Sequence, residues 1–231
     1  MARLQALSQP QPLARMAYQA LRESIIRGDL EAGRIYNEMA LAKELNISRT
    51  PVREALLELA VQGLVVFHPR KGVRVVDYTP KDVEEIFQVR SAMELFAVDK
   101  AARESRALDL GRVEEIIAAQ EKALARGGMR PFMDRDRSFH LIWAELIDNR
   151  RMIEILKNLR DMVHIMGLKA LAAQGRATEV VGEHRRIFQA VRAGRADQAR
   201  EAVALHLDRS REAVLARMEE NAEKGAGDEI D

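Results

Sequence analysis

The chain has 231 residues, a formal net charge of +1, no cysteine and only 4% aromatic residues. This length can bury one large or two modest cores, and abundant Ala, Leu, Arg and Glu favour packed helices over sheet. Disulfides, thiolate metal sites and cysteine nucleophiles are excluded, and a nucleic-acid site would have to come from local clustering of charge. No apolar run approaches the roughly 20 residues that span a bilayer.

Residues 1–12, with Ser8-Gln9-Pro10-Gln11-Pro12, lack the apolar stretch of a signal peptide and read as a flexible tail. A cytoplasmic protein without membrane association is expected. Leu13, Met16, Ala17, Ala20, Leu21 and Ile25 follow helical spacing up to Arg27, and Gly28 to Gly33 breaks the run. A short helix is expected over 37–45, with Asn46 as its stop. A third helix, capped by Ser48, runs to about Gln62 before Gly63. Leu64 to His68 reads as a strand, Pro69-Arg70-Lys71-Gly72 as a turn, and Val73 to Val76 as the return strand. From Thr79 onward the pattern is helical. Thr79 is the expected cap, with Pro80 in the first helical position. Helices are expected over about 80–105, 108–126, 131–147, 150–172, 178–193 and 196–223. The polar end from residue 220, with Gly225 to Asp231, is expected to be disordered. The composition shift near Tyr78-Thr79-Pro80 places a domain boundary between 13–78 and 79–219.

Three short helices followed by a two-stranded hairpin is the order of a winged helix-turn-helix. Arg49 and Arg53 lie four apart on one face of the third helix, and a guanidinium can read guanine bidentately. Arg70, Lys71 and Arg74 add charge on the wing. Residues 13–76 hold ten Lys/Arg against seven Asp/Glu, a local net charge of +3. Ordinary surface pairing with neighbouring glutamates is the other use of these arginines. The run Ser48-Arg49-Thr50-Pro51-Val52-Arg53-Glu54-Ala55-Leu56, with Ile26-Arg27-Gly28-Asp29-Leu30 before it and Arg70-Lys71-Gly72-Val73-Arg74-Val75 after it, resembles the DNA-binding domain of the GntR family of bacterial transcription regulators. The resemblance implies that Ser48, Arg49, Thr50 and Arg53 meet operator DNA, with Gly72 at the wing tip beside Arg70 and Lys71. Some members carry arginine where this chain has Met39, so that contact is expected to be missing.

Asp136 and His140 are four apart and share a helix face. His184 and His206 each lie eleven residues from Arg195, at a break between two helices, so a hairpin brings both imidazoles to one height. Three neutral imidazoles and a carboxylate make a ligand set for a divalent ion. The Asp136–His140 pair is equally served by a simple hydrogen bond, and a lone buried histidine is usually a packed core residue. Asp134 falls on a different face from His140, His164 suits a packed role, and His68 on the wing is assigned no chemistry. Residues 79–219 are similar to the C-terminal FCD domain of the FadR subfamily. The similarity rests on Asp82 to Arg90 with Glu94, on Asp136-x3-His140 with Phe139, on His184 with Ile187, and on His206-Leu207. It implies an antiparallel helical bundle with a central cavity and one divalent ion per chain on Asp136, His140, His184 and His206. Zinc is the favoured ion, with nickel or manganese also suited, and open coordination positions would accept a small carboxylate effector. Arg90 can anchor such a carboxylate, or else pair with Glu94 on its own helix.

The fold expected is mainly α, a winged helix-turn-helix followed by an all-α bundle. The function expected is a metal-dependent, ligand-responsive regulator, a homodimeric repressor on double-stranded operator DNA. The alternatives are a metallohydrolase with an accessory DNA-binding domain and a regulator whose metal is purely structural.

Overall fold

The computed structural model describes residues 11–167 and 175–228, and the chain divides into two compact units between Asp77 and Tyr78. The first unit contains α1 (Leu13–Arg27), β1 (Ile35–Tyr36), α2 (Glu38–Glu44), α3 (Arg49–Val61), β2 (Val65–His68) and β3 (Gly72–Val75). Ala17, Tyr18, Leu21 and Ile25 recur at helical spacing along α1, which packs on α3, where Val52, Ala55, Leu56 and Leu59 are buried. Asn37 caps α2, its Oδ1 accepting from the backbone N–H of Met39 at 2.8 Å and of Ala40 at 3.3 Å. Ser48 occupies the N-cap position of α3 but makes no side-chain capping bond, so the expected cap is positional only. Its side chain stays exposed beside the first amides of the helix.

The sheet is three-stranded and antiparallel in the order β1-β3-β2. Strand β1 was not expected, because two residues are too few to show an alternating pattern. Gly72 opens β3 and pairs with His68 where the turn closes. Its φ is 126°, and a Cβ there would lie 2.2 Å from the carbonyl oxygen of Tyr36. A side chain is thus barred by both conformation and space.

The second unit holds α4 (Pro80–Arg103), a 3-10 turn (Ser105–Ala107), α5 (Gly111–Ala125), α6 (Met129–Leu146), α7 (Arg150–Gly167), α8 (Arg176–Arg192) and α9 (Ala196–Asp228). Thr79 and Asp82 form a reciprocal capping box at the start of α4, with Asp82 N–H donating to Thr79 Oγ1 at 3.2 Å and Thr79 N–H to Asp82 Oδ2 at 2.7 Å. Helix α4 packs along α9, α5 against α6, and α8 against α9. The core they enclose includes Val98, Ile117, Phe132, Trp143, Leu156, Ile187 and Val203. Burying each large side chain contributes about 1.5–3 kcal/mol. The expected end of the helix after Arg150, at residue 172, falls outside the described residues, as do residues 1–10 and 229–231 of the two tails. Helix α9 runs on to Asp228, within the stretch from residue 220 for which a disordered tail is expected. Gly225 and Gly227 each weaken a helix by about 1 kcal/mol, but no proline interrupts the hydrogen-bond ladder there. Among the described residues no helix is long and apolar enough to cross a membrane.

Candidate metal centre and DNA-reading face

The second unit concentrates its histidines in its interior. His140 on α6, His184 on α8 and His206 on α9 are each at most 1% exposed. Their ligand atoms all lie within 4.8 Å of one another, and the Nε2 atoms of His140 and His206 are 3.2 Å apart. The α8–α9 hairpin does what its symmetry about Arg195 predicts, leaving the His184 and His206 rings 4.7 Å apart. Phe139 stacks on His184, with ring centroids 3.6 Å apart and planes 13° from parallel, and fixes that ring.

Every Nδ1 of the cluster faces an acceptor. His140 Nδ1 donates to Glu94 Oε2 at 2.5 Å, His184 Nδ1 to Gln120 Oε1 at 2.9 Å, and His206 Nδ1 to Glu183 Oε2 at 2.7 Å. A carboxylate or amide oxygen cannot donate, so the ring hydrogen sits on Nδ1 and the lone pair on Nε2. The three Nε2 lone pairs therefore converge. His184 Nε2 is buried with no hydrogen-bond partner among the described residues. A cation at this point satisfies all three, and hydrogen-bonded Nδ1 atoms are the usual support of histidine ligands.

Asp136 lies on the same face of α6, with Oδ1 3.9 Å from His140 Nε2 and 3.7 Å from His184 Nε2. Asp136 is therefore near two of the imidazoles, but among the described residues the ligand atoms that lie within 4.8 Å of one another are those of the three histidines alone. Its Oδ2 is held by Arg160 of α7 in a very short contact. Burial pushes the Asp136 carboxyl up, but Arg160 and the nearby histidines hold it below its ordinary value. His140 and His184 are pushed well below the ordinary histidine value by burial first, aided by Arg160 beside His140 and by His206 and His140 beside His184. Both are thus held neutral, as ligation requires.

Sequence reasoning did not assign Arg160, Gln120 or Glu183 to this site. Glu183 accepts from both Arg176 Nη atoms, at 2.8 and 3.0 Å, as well as from His206. These partners lie 7 to 64 residues apart along the chain, so spacing carries no trace of most of them. Adjacency to His184 was the one signal for Glu183. Arg90 does form the expected pair with Glu94, at 2.9 Å, while lining a cavity shared with Asp136, His140 and Arg160. Asp134 is exposed, away from the cluster. His164 is buried and held at about 4 by burial and Arg160.

In the first unit, a groove of about 450 Å³ runs between the helices and the wing, lined by Met39, Arg49, Arg53, Arg70, Lys71 and Gly72 among others. Ser48 and Thr50 are exposed at the start of α3. Arg49 and Arg53 are both tethered to Glu38, with Arg49 Nε 3.0 Å and Arg53 Nη1 2.9 Å from its carboxylate. Burial raises the Glu38 carboxyl, but the two guanidiniums bring it below the usual value. The surface pairing expected as the alternative is therefore present. It leaves both arginine side chains about half exposed, at 57% and 51%. Met39 is 65% exposed on the same face.

A family profile described as the FCD domain matches residues 85–209, and one described as bacterial regulatory proteins, gntR family, matches residues 13–75. The chain is 30% identical to an uncharacterized HTH-type transcriptional regulator, YdhC, of Bacillus subtilis (strain 168), over 94% of this chain and 97% of that one. It is 25% identical to the HTH-type transcriptional repressor RspR of Escherichia coli (strain K12), over 94% and 95%. The gluconate operon transcriptional repressor of B. subtilis (strain 168) is 28% identical over 80% and 78%. Among solved structures, a putative transcriptional regulator GntR from Rhodococcus sp. RHA1 superposes with a TM-score of 0.79 at 23% identity, covering 88% of this chain and 97% of that one, which shows a shared fold.

Proposed function

Since the chain belongs to the GntR family of bacterial regulatory proteins and is a DNA-binding transcription regulator with an FCD domain, we propose that it is a repressor controlled by a metal-dependent sensor of the FadR type. Asp136, His140, His184 and His206 would hold one divalent ion, zinc for preference, with nickel or manganese also served by these nitrogen and oxygen donors. When bound, the ion supplies positive charge and open coordination positions to a small carboxylate effector. The protein's own part is to keep the His140 and His184 imidazoles neutral, to point each Nε2 inward through Glu94, Gln120 and Glu183, and to exclude water. The observation that carries the reading is the convergence of three Nε2 atoms whose Nδ1 atoms are already satisfied, one Nε2 being buried without a partner. The same reading places the protein in the cytoplasm, where its DNA is.

Ser48, Arg49, Thr50, Arg53, Arg70, Lys71 and Gly72 form the proposed reading face, with Arg49 and Arg53 reaching base edges. A homodimer presents two such faces to two half-sites of a palindromic operator. Sedimentation showing only monomer at micromolar concentration, with and without duplex, would rule that out. An effector controls the operator only by preferring one state of the protein, typically by about 1–3 kcal/mol. A metallohydrolase finds no support in a family of transcription regulators. A purely structural ion would make His184→Ala lose melting temperature and operator binding together.

The test is a binding titration on an operator selected from random duplexes. Wild type should bind it more tightly than random duplex and respond to added carboxylate only when metal-loaded. His184→Ala and His206→Ala should still bind DNA but lose that response. A response unchanged by metal removal would reject the sensor.

A further inference from the structure

Glu38 opens α2 directly after its cap Asn37 and is 8% exposed. It lines the same groove of the first unit as Arg49, Arg53, Arg70 and Lys71. Its carboxylate serves two guanidiniums of α3 at once. Oε2 accepts from Arg49 Nε at 3.0 Å, and the two oxygens accept from Arg53 Nη1 at 2.9 and 3.1 Å. The choice of nitrogens matters, because a guanidinium grips a two-acceptor partner through its Nη1–Nη2 edge or its Nε–Nη2 edge. Glu38 takes Nε from Arg49 and leaves the Nη1–Nη2 edge clear of itself. It takes Nη1 from Arg53 and leaves the Nε–Nη2 edge clear of itself. Each arginine is tied down yet keeps one complete fork, the donor pair that matches guanine O6 and N7. Arg53 is held a second time by Phe67 of β2, whose ring centroid lies 5.7 Å from its guanidinium carbon.

Charge and burial both bear on the choice between base and phosphate. The shared carboxylate cancels one of the two positive charges, so the pair draws the phosphate backbone less than two free arginines would. A guanidinium that swings out to a phosphate must also break its bond to Glu38. That leaves a buried carboxylate short of a partner, which is costly. A guanidinium that reads a base from where it stands incurs no such loss. We propose that Glu38 is the positioning residue that sets operator specificity: it holds the forks of Arg49 and Arg53 for bases and withholds them from phosphates. This rests on the reading of Arg49 and Arg53 as base contacts given above.

The experiment compares the full-length wild type with Glu38→Gln, on the selected operator and on a random duplex of equal length, by fluorescence anisotropy over a range of salt. Glu38→Gln should bind random duplex more tightly, with a log–log salt slope steeper by about 0.9. Its preference for operator over random duplex should fall by roughly 10-fold or more. A variant that melts like wild type and keeps the full preference would overturn the proposal. Equal loss of affinity on both duplexes, with an unchanged salt slope, would do the same and assign Glu38 to packing alone. The wild type gives its own answer even if Glu38→Gln fails to fold. By NMR of a chain carrying isotope-labelled arginine, the Nε–H of Arg49 should exchange with water more slowly than that of the exposed Arg151, both free and on operator. Loss of that protection on operator would show that reading breaks the tether, against the proposal. Arg49→Ala and Arg53→Ala that both keep the full operator preference would overturn the reading beneath it, and the proposal with it.

Discussion

At the scale of single residues, the cluster depends on what stands behind each imidazole. Glu183 is held below the usual carboxylate range: burial opposes this, but hydrogen bonds from His206 and Arg176 win. Glu183→Gln keeps the shape but removes the charge that both partners lean on. Metal affinity should fall by roughly 10- to 100-fold, measured by competition with a chromophoric chelator. An unchanged affinity in the folded variant would mean that Glu183 only packs. The depressed histidines also set a pH dependence. Unfolded, His140, His184 and His164 take up protons near 6.5, whereas folded they stay neutral to lower pH, His164 to about 4. Stability is then full above about 6.5 and falls as pH drops below it, by up to about 1.4 kcal/mol per pH unit for each such residue. The urea midpoint of the metal-free chain should decline from pH 7 to 5, and a flat profile would contradict the burial argument.

At the scale of elements, the wing hangs on one glycine. Gly72→Ala forces a Cβ against Tyr36 O at 2.2 Å in a conformation that L side chains avoid. It should detach β1 from β3, lower the melting temperature and weaken operator binding. A variant that melts like wild type would show that the strands simply shift. On α3, Arg49→Ala or Arg53→Ala should each cost about 1–3 kcal/mol of operator affinity if the guanidinium reads a base, with metal content untouched. A loss equal on operator and random duplex would assign them to phosphates instead. The helices were legible because their apolar residues recur every three to four positions and because Thr79-Pro80-Lys81-Asp82 spells a cap. Strand β1 was not, and neither was the continuation of α9 past Glu223, where glycines suggested a stop that only a proline would have enforced.

At the scale of the whole molecule, the regulator family was readable from the Ser48 to Leu56 run, and the meeting of the three buried histidines from helix spacing and hairpin symmetry. The sequence did not reveal the residues that tune the cluster. Arg160 reaches Asp136 across 24 positions, Glu94 reaches His140 across 46 and Gln120 reaches His184 across 64, so only the packed bundle brings them together. The central claim is that this packing builds a site for one ion. It is tested most directly by elemental analysis of the purified chain after reconstitution with zinc and exhaustive dialysis, beside His184→Ala and Asp136→Asn. One divalent ion per wild-type chain is expected, with strong loss in the histidine variant and a smaller loss in the aspartate one. Wild type that retains no stoichiometric metal would contradict the account.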